Sequence, residues 1–174
     1  VRPGVMKLAE PQPGKQGEVE EFKVEFAPED MNVTIKEVIK ETKKAIDITD
    51  AKVLVSGGRG IGSADFYNEL QKVADLLGGE ISSSRANVDA GWIAKDRQVG
   101  QTGKTVRPDL YLACGISGAI QHIAGMENSE CVISINKNDT AAIFDVSDLG
   151  IVGDVKVIIP KLIDALTKYK AAQN

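Results

Sequence analysis

Aromatic residues make up only 5% of the chain, cysteine occurs twice and histidine once. One histidine and two cysteines cannot supply the four Cys/His ligands of a structural zinc, and no C-x-x-C spacing is present. Cys114 and Cys131 both fall in expected buried strands and read as small core residues of a reducing compartment. No apolar run approaches the roughly 20 residues that a membrane-crossing helix needs. No stretch has the basic, apolar, small-residue order of a secretory signal. Basic residues number 21 against 25 acidic ones, a net charge of -4, which argues against a nucleic-acid partner. The spacing G-x-G-x-x-G is absent, and so are a Ser/His/Asp order, an internal repeat and any low-complexity segment.

What is there is glycine, 17 residues of it, in an otherwise ordinary α/β composition that is 43% apolar. A chain of 174 residues can bury one proper core, with an extra segment besides. The chain is organised around residues 109–126. Leu110 to Cys114 is an apolar run between Pro108 and Gly115, a short buried strand. Gly115-Ile116-Ser117-Gly118 is a tight turn, and Ala119, Ile120, Ile123 and Ala124 then recur at helical spacing. Such a turn leaves backbone N–H groups unpaired at a helix N-terminus, which suits a phosphate or a polarised carbonyl oxygen. His122 sits one turn into the helix and can point back at whatever the turn binds. The plainer readings stand beside these: a sharp turn between strand and helix, and a structural histidine.

Residues 1–28 differ from the rest. Val1-Arg2-Pro3-Gly4 begins abruptly, and residues 7–18 are rich in Pro and Gly without periodicity, a linker or loop. Glu21 to Phe26 alternates charged and apolar residues, an exposed or edge strand. From Thr34 to Lys44, Ile35, Val38, Ile39 and Thr42 form one face of a helix. Lys52 to Ser56 is a strong buried strand. The glycine loop 57–63 follows, and then an amphipathic helix carrying Phe66, Leu70, Val73 and Leu77. Strand, glycine loop and helix make the nucleotide-binding βα unit in outline. Arg59 in that loop can pair with a phosphate or lie over a flat ring.

Glu80 to Ser84 is a strand too polar for a sheet centre, so it belongs at an edge or a cleft. Residues 99–104 form a polar loop. Cys131 to Asn136 is the next buried strand, Ile143-Phe144 a short one, and residues 151–154 lead into a last helix with Pro160 in its first turn or at a kink. Asp139, Asp145, Asp148 and Asp154 are explained by capping and solvation. The pattern predicts an α/β fold, doubly wound: a mainly parallel sheet of about five strands with helices on both faces. Ligands of such sheets lie at the carboxyl ends of the strands. The loop after Ser56, the pair Ser84-Arg85, the turn at 115–118 and Asn136 all fall there.

Six blocks in order resemble the C-terminal, FAD-binding domain of electron transfer flavoprotein α subunits, a Rossmann-like domain, from about Lys52 onward. They are Val55-Ser56-Gly57-Gly58-Arg59-Gly60, Ser84 to Gly91, Val99-Gly100-Gln101-Thr102-Gly103-Lys104, Gly115 to His122, Ile135-Asn136-Lys137 and Gly150-Ile151-Val152-Gly153-Asp154. Cys114 and the segment 138–142 depart from the family pattern without touching a block. Residues 1–28 look like the tail of a missing N-terminal domain plus a linker, and residues 29–174 like the FAD-binding domain. The resemblance implies FAD contacts from Arg59, Ser84, Arg85, Val99, Gly100, Gln101, Thr102, Ser117, Gly118, Ala119, Ile120, Gln121, His122, Asn136 and Asp154. It places Arg85 close to the isoalloxazine ring, the Thr102 hydroxyl near N5 and His122 near the pyrimidine carbonyl.

Those residue types fit that chemistry. A reduced flavin carries negative charge, which a fixed cation and aimed N–H groups favour. The resemblance further implies an electron carrier without a substrate-turnover site. It would form a heterodimer with the family's β subunit, dock transiently on a flavoprotein dehydrogenase and an acceptor, and work in the bacterial cytoplasm in preference to the mitochondrial matrix. The runner-up is a nucleotide- or NAD-binding module without flavin redox, which needs an acidic residue about 20 positions past the first glycine. Glu80 is near that distance, but the glycine spacing is wrong. A cofactor-free interaction domain is the third reading.

Overall fold

The computed structural model describes residues 9–27, 30, 36 and 46–173. The chain divides into two compact units, one of residues 7–45 and one formed mainly by residues 46–174. In the smaller unit the expected strand at 21–26 is not found. Those residues are irregular, with Phe22 84% and Phe26 70% exposed. Alternation makes a strand only where a neighbour pairs its backbone and covers its apolar face. The helix expected over 34–44 lies almost wholly outside the described residues.

The larger unit is built on five strands: β1 Val53–Gly57, β2 Glu80–Ser83, β3 Leu110–Cys114, β4 Val132–Asn136 and β5 Leu149–Val152. All four pairings are parallel, in the order β2-β1-β3-β4-β5. The helices are α1 Tyr67–Leu77, α2 Arg85–Asp89, α3 Ile120–Ile123 and α4 Val155–Gln173. The expected doubly wound parallel sheet is therefore present. β2 lies at one edge, as its polarity required, and the ion pair of Glu80 with Arg97 at 2.7 Å flanks it.

Each central strand feeds two cores because successive side chains point to opposite faces. Leu54, Tyr111, Ala113 and Val132 face one side, where Val99, Met126 and Ile143 cover them. Val55, Leu112, Cys114 and Ile135 face the other, under Leu70 and Val73 of α1 and Ile159 of α4. Right-handed crossovers that leave β1 and β3 in opposite directions must land on opposite faces. This opens a crevice between the carboxyl ends of those two strands.

Four local expectations need correction. Ile143-Phe144 is no strand. Residues Ala142–Val146 form a 3₁₀ helix, held where Ser147 Oγ donates to the Ile143 carbonyl at 2.7 Å. The strand comes later, as β5, and the Phe144 ring lies so close to Gly150 that a Cβ there would meet it at 2.7 Å. Cys131 precedes β4 and is half-buried, whereas Cys114 is buried in β3. Pro160 is the sixth residue of α4, inside the helix, so of the two placements expected for it the first turn falls away. The helix after the central turn is α3, only four residues long. Gly125 lies against the backbone of Gly100.

Candidate functional site

Four strand ends and one long connection converge on a cavity of about 680 Å³ at the β1/β3 crevice. From β1 come Gly58, Arg59 and Gly60. The start of α2 contributes Ser84, Arg85 and Ala86. The loop before β3 contributes Gln98 to Thr102, and the turn after β3 contributes Gly115, Ile116, Ser117, Ala119, Gln121 and His122. Asn136 closes β4. The size lies within the usual range of small-molecule and cofactor sites.

The two glycine turns are pressed together. Gly60 N–H donates to the Gly115 carbonyl at 3.0 Å, and Gly58 N–H to that of Cys114 at 2.9 Å. Gly115 has φ 64°, and a Cβ on it would stand 2.8 Å from the Gly60 backbone. Only glycine meets both conditions. The N–H groups of Ile116, Ser117, Gly118 and Ala119 donate to no acceptor among the described residues. With α3 so short, these individual donors replace the helix dipole that the sequence pattern suggested.

Arg59 and Arg85 both line the cavity, and no carboxylate among the described residues does. Arg85 is two-thirds exposed and pairs with Asp89 at 3.2 Å. Its place is set from below. Asn87, 1% exposed, donates through Nδ2 to the Gly57 carbonyl (3.2 Å) and to the Tyr67 hydroxyl (2.9 Å), tying α2 to β1 and α1. Gln98 Nε2 donates to Thr102 Oγ1 at 3.0 Å, which leaves the Thr102 hydroxyl proton free to be given elsewhere. Asn136 donates to the Ile116 carbonyl at 2.8 Å and so ties β4 to the turn.

His122 is buried, and desolvation pushes its pKa down to about 4, against a smaller opposing pull from the Val99 backbone. Its Nε2 lies 3.0 Å from the Tyr111 hydroxyl, and its Nδ1 has no hydrogen-bond partner. Burial likewise holds the Tyr111 phenol above its usual value and pushes the Cys114 thiol up to about 12. Neither ionises near neutrality.

Of the residues singled out from sequence, twelve share the cavity wall: Arg59, Ser84, Arg85, Val99, Gly100, Gln101, Thr102, Ser117, Ala119, Gln121, His122 and Asn136. Three do not. Gly118, with φ 89°, turns its back on residues 142 and 143, where a Cβ would stand 2.2 Å from the Ile143 nitrogen. Ile120 is 81% exposed. Asp154 accepts from Lys156 N–H at the start of α4 and lines a small neighbouring cavity of about 40 Å³ with Lys137, Gly60, Gly115 and Asn136. Ala86, Gln98 and Ile116 line the wall without having been singled out. Nothing local marks Ala86, whereas Ile116 lies in the turn that the sequence already marked as a ligand site. Gln98 is a polar residue only 4% exposed, and burial is not visible in a sequence.

Glu80, near the distance expected of a ribose-binding acid, begins β2 at the end remote from the cavity and is engaged by Arg97. No group of His, Cys, Asp and Glu among the described residues could hold a metal. No helix among them is long and apolar enough to cross a membrane.

Residues 47–127 match the family described as the electron transfer flavoprotein FAD-binding domain. The chain is 52% identical over 170 residues to the electron transfer flavoprotein subunit alpha of Thermoanaerobacterium thermosaccharolyticum, which covers 98% of this chain and 52% of that protein. It is 48% identical to the acryloyl-CoA reductase electron transfer subunit beta of Anaerotignum propionicum, over 99% of this chain and 48% of the relative. With the mitochondrial electron transfer flavoprotein subunit alpha of Dictyostelium discoideum it shares 51% identity over 124 residues, 71% of this chain and 35% of the relative. The chain spans about half the length of the first two of these relatives.

Proposed function

We propose, from the match of residues 47–127 to the electron transfer flavoprotein FAD-binding domain family, that the β1/β3 cavity holds FAD in an electron carrier. The observation that carries this reading is the charge of the wall: two arginines, the three unpartnered backbone donors of Ile116, Ser117 and Ala119 and, among the described residues, no carboxylate. That set suits a ligand with phosphates and an electron-accepting ring, and it suits a nicotinamide nucleotide poorly, because nothing acidic is placed to take a ribose. When bound, FAD supplies one-electron chemistry that no side chain offers.

The chain's own groups then have distinct tasks. The unpartnered N–H groups of Ile116, Ser117 and Ala119 and the Arg59 guanidinium hold anionic oxygens. Arg85 supplies a fixed positive charge where the ligand becomes more negative, since a guanidinium keeps its proton at any working pH. Thr102, braced by Gln98, offers a hydroxyl proton. His122 enters as a neutral ring. No general acid or base is required. The second subunit of such a carrier is a β subunit of the same family, with a dehydrogenase and an acceptor docking in turn over a small, short-lived interface. The bacterial relatives favour a cytoplasmic setting over a mitochondrial one.

The test is the visible spectrum of the purified chain titrated with FAD, then with reductant. Bound flavin bands that lose their colour in two separate one-electron stages support the proposal. Absence of binding, both in the chain alone and in its complex with a β subunit, overturns it. Arg85→Ala should weaken FAD binding by about 10- to 100-fold, the range of a charged hydrogen bond worth roughly 1.5–3 kcal/mol, and should lower the first reduction potential. Unchanged affinity and potential would remove Arg85 from the site.

A further inference from the structure

Beneath the cavity runs a polar seam that the proposed function does not use. Ser56 on β1, Ser82 on β2 and Tyr111 on β3 are each 0% exposed, and the strand register sets Ser56 beside Ser82. The Tyr111 hydroxyl reaches out of the sheet to Nε2 of His122 at 3.0 Å, with the two rings tilted by 58°. Nδ1 of the same imidazole is buried without a hydrogen-bond partner, and the Val99 backbone lies beside the ring.

A neutral imidazole carries one proton, and the bond made by one nitrogen decides where it sits. With the proton on Nε2, the phenol would give its own proton to the Ser56 or Ser82 hydroxyl beside it, and Nδ1 would be left as a bare buried acceptor. With the proton on Nδ1, the phenol donates to Nε2. The ring's own proton then lies where the backbone, or an acceptor brought by a ligand, can take it. The second arrangement satisfies more groups.

We propose that Tyr111 is a positioning residue whose hydroxyl donates to Nε2 of His122 and holds the imidazole as the neutral Nδ1–H tautomer. The cavity therefore meets a histidine of fixed tautomer. A ligand asking Nε2 to donate must first displace Tyr111, and the positive charge in the site comes from Arg59 and Arg85 alone. That consequence rests on the FAD reading; the tautomer does not.

The chain has a single histidine, so ¹⁵N labelling at histidine gives one unambiguous pair of ring signals. Recorded on the chain without FAD at pH 7, the wild type should show a protonated, pyrrole-type Nδ1 and an unprotonated, pyridine-type Nε2. Tyr111→Phe keeps the ring and removes the hydroxyl. In it the Nε2 signal should move toward the pyrrole-type region as the other tautomer fills. A wild-type proton on Nε2, or a Tyr111→Phe spectrum identical to wild type, overturns the inference. The wild-type spectrum alone decides the tautomer, so the test survives a variant that does not fold. No FAD is present, so failure here leaves the cofactor reading untouched, and failure of FAD binding leaves the tautomer untouched.

Discussion

At the scale of single residues, His122 links the site to stability. In the unfolded chain its imidazole takes a proton near pH 6.5, and in the folded chain only near pH 4. Between those values the unfolded state binds more protons, so folding is favoured fully above pH 6.5 and loses stability as pH falls toward 4. Integrated over that window the loss is about 3 kcal/mol. Arg59 and Arg85 share the cavity wall with the ring, and no carboxylate among the described residues lines it. Asp47 acts lower, between pH 3.8 and about 2, where its bonds to the Thr49 backbone and Lys104 hold its proton off. Its loss belongs to a separate, more acidic stage. Denaturant midpoints measured from pH 7.5 to pH 4 should fall in wild type and flatten in His122→Gln. A wild-type curve flat across that range would mean that the ring is accessible to water.

At the scale of elements, the site is made of turns and not of helices. α3 has four residues and α2 five, too short to be stable by themselves. They stand because Asn87 anchors α2 and because the turn at 115–118 is wedged between two backbones. Gly118→Ala tests that wedge. The added methyl meets the Ile143 backbone at a left-handed φ, so the turn must shift or the 3₁₀ helix must move. We expect a loss of at least 1–3 kcal/mol in unfolding free energy, the cost of strain at such a position, together with weaker FAD binding, since Ser117 and Ala119 move with it. Normal stability in Gly118→Ala would show that this loop yields easily.

At the scale of the whole molecule, the sheet order puts β1 beside β3 with their turns in contact, and the cavity exists only through that adjacency. A ligand that spans both turns should stabilise the folded state by mass action. At 100 times its Kd, FAD should add about 2.7 kcal/mol, a rise in Tm of several degrees for a domain of this size. Calorimetry with and without FAD measures it. A Tm indifferent to saturating FAD would place the ligand elsewhere.

Much of the fold is legible in the sequence alone. Strands buried on both faces are near-continuous apolar runs, so β1, β3 and β4 stand out, and the amphipathic stripe of α1 does too. Twelve of the residues named from their position after such strands and from resemblance line one cavity. Where local pattern misled, a distant partner was the reason. Glu21 to Phe26 alternates correctly and finds no strand to pair with among the described residues. Ile143-Phe144 has strand-forming side chains, yet it curls over Gly150 of β5. The sequence by itself determined the strand–turn–helix rhythm, the glycine turns and the arginines, because these depend on neighbours a few residues away. Only the tertiary structure decided that Gln98 braces Thr102, that Gly118 faces away from the cavity, and that the Tyr111 hydroxyl meets His122. Those contacts depend on sheet order and on burial, which bring together side chains whose own sequence surroundings say nothing of one another.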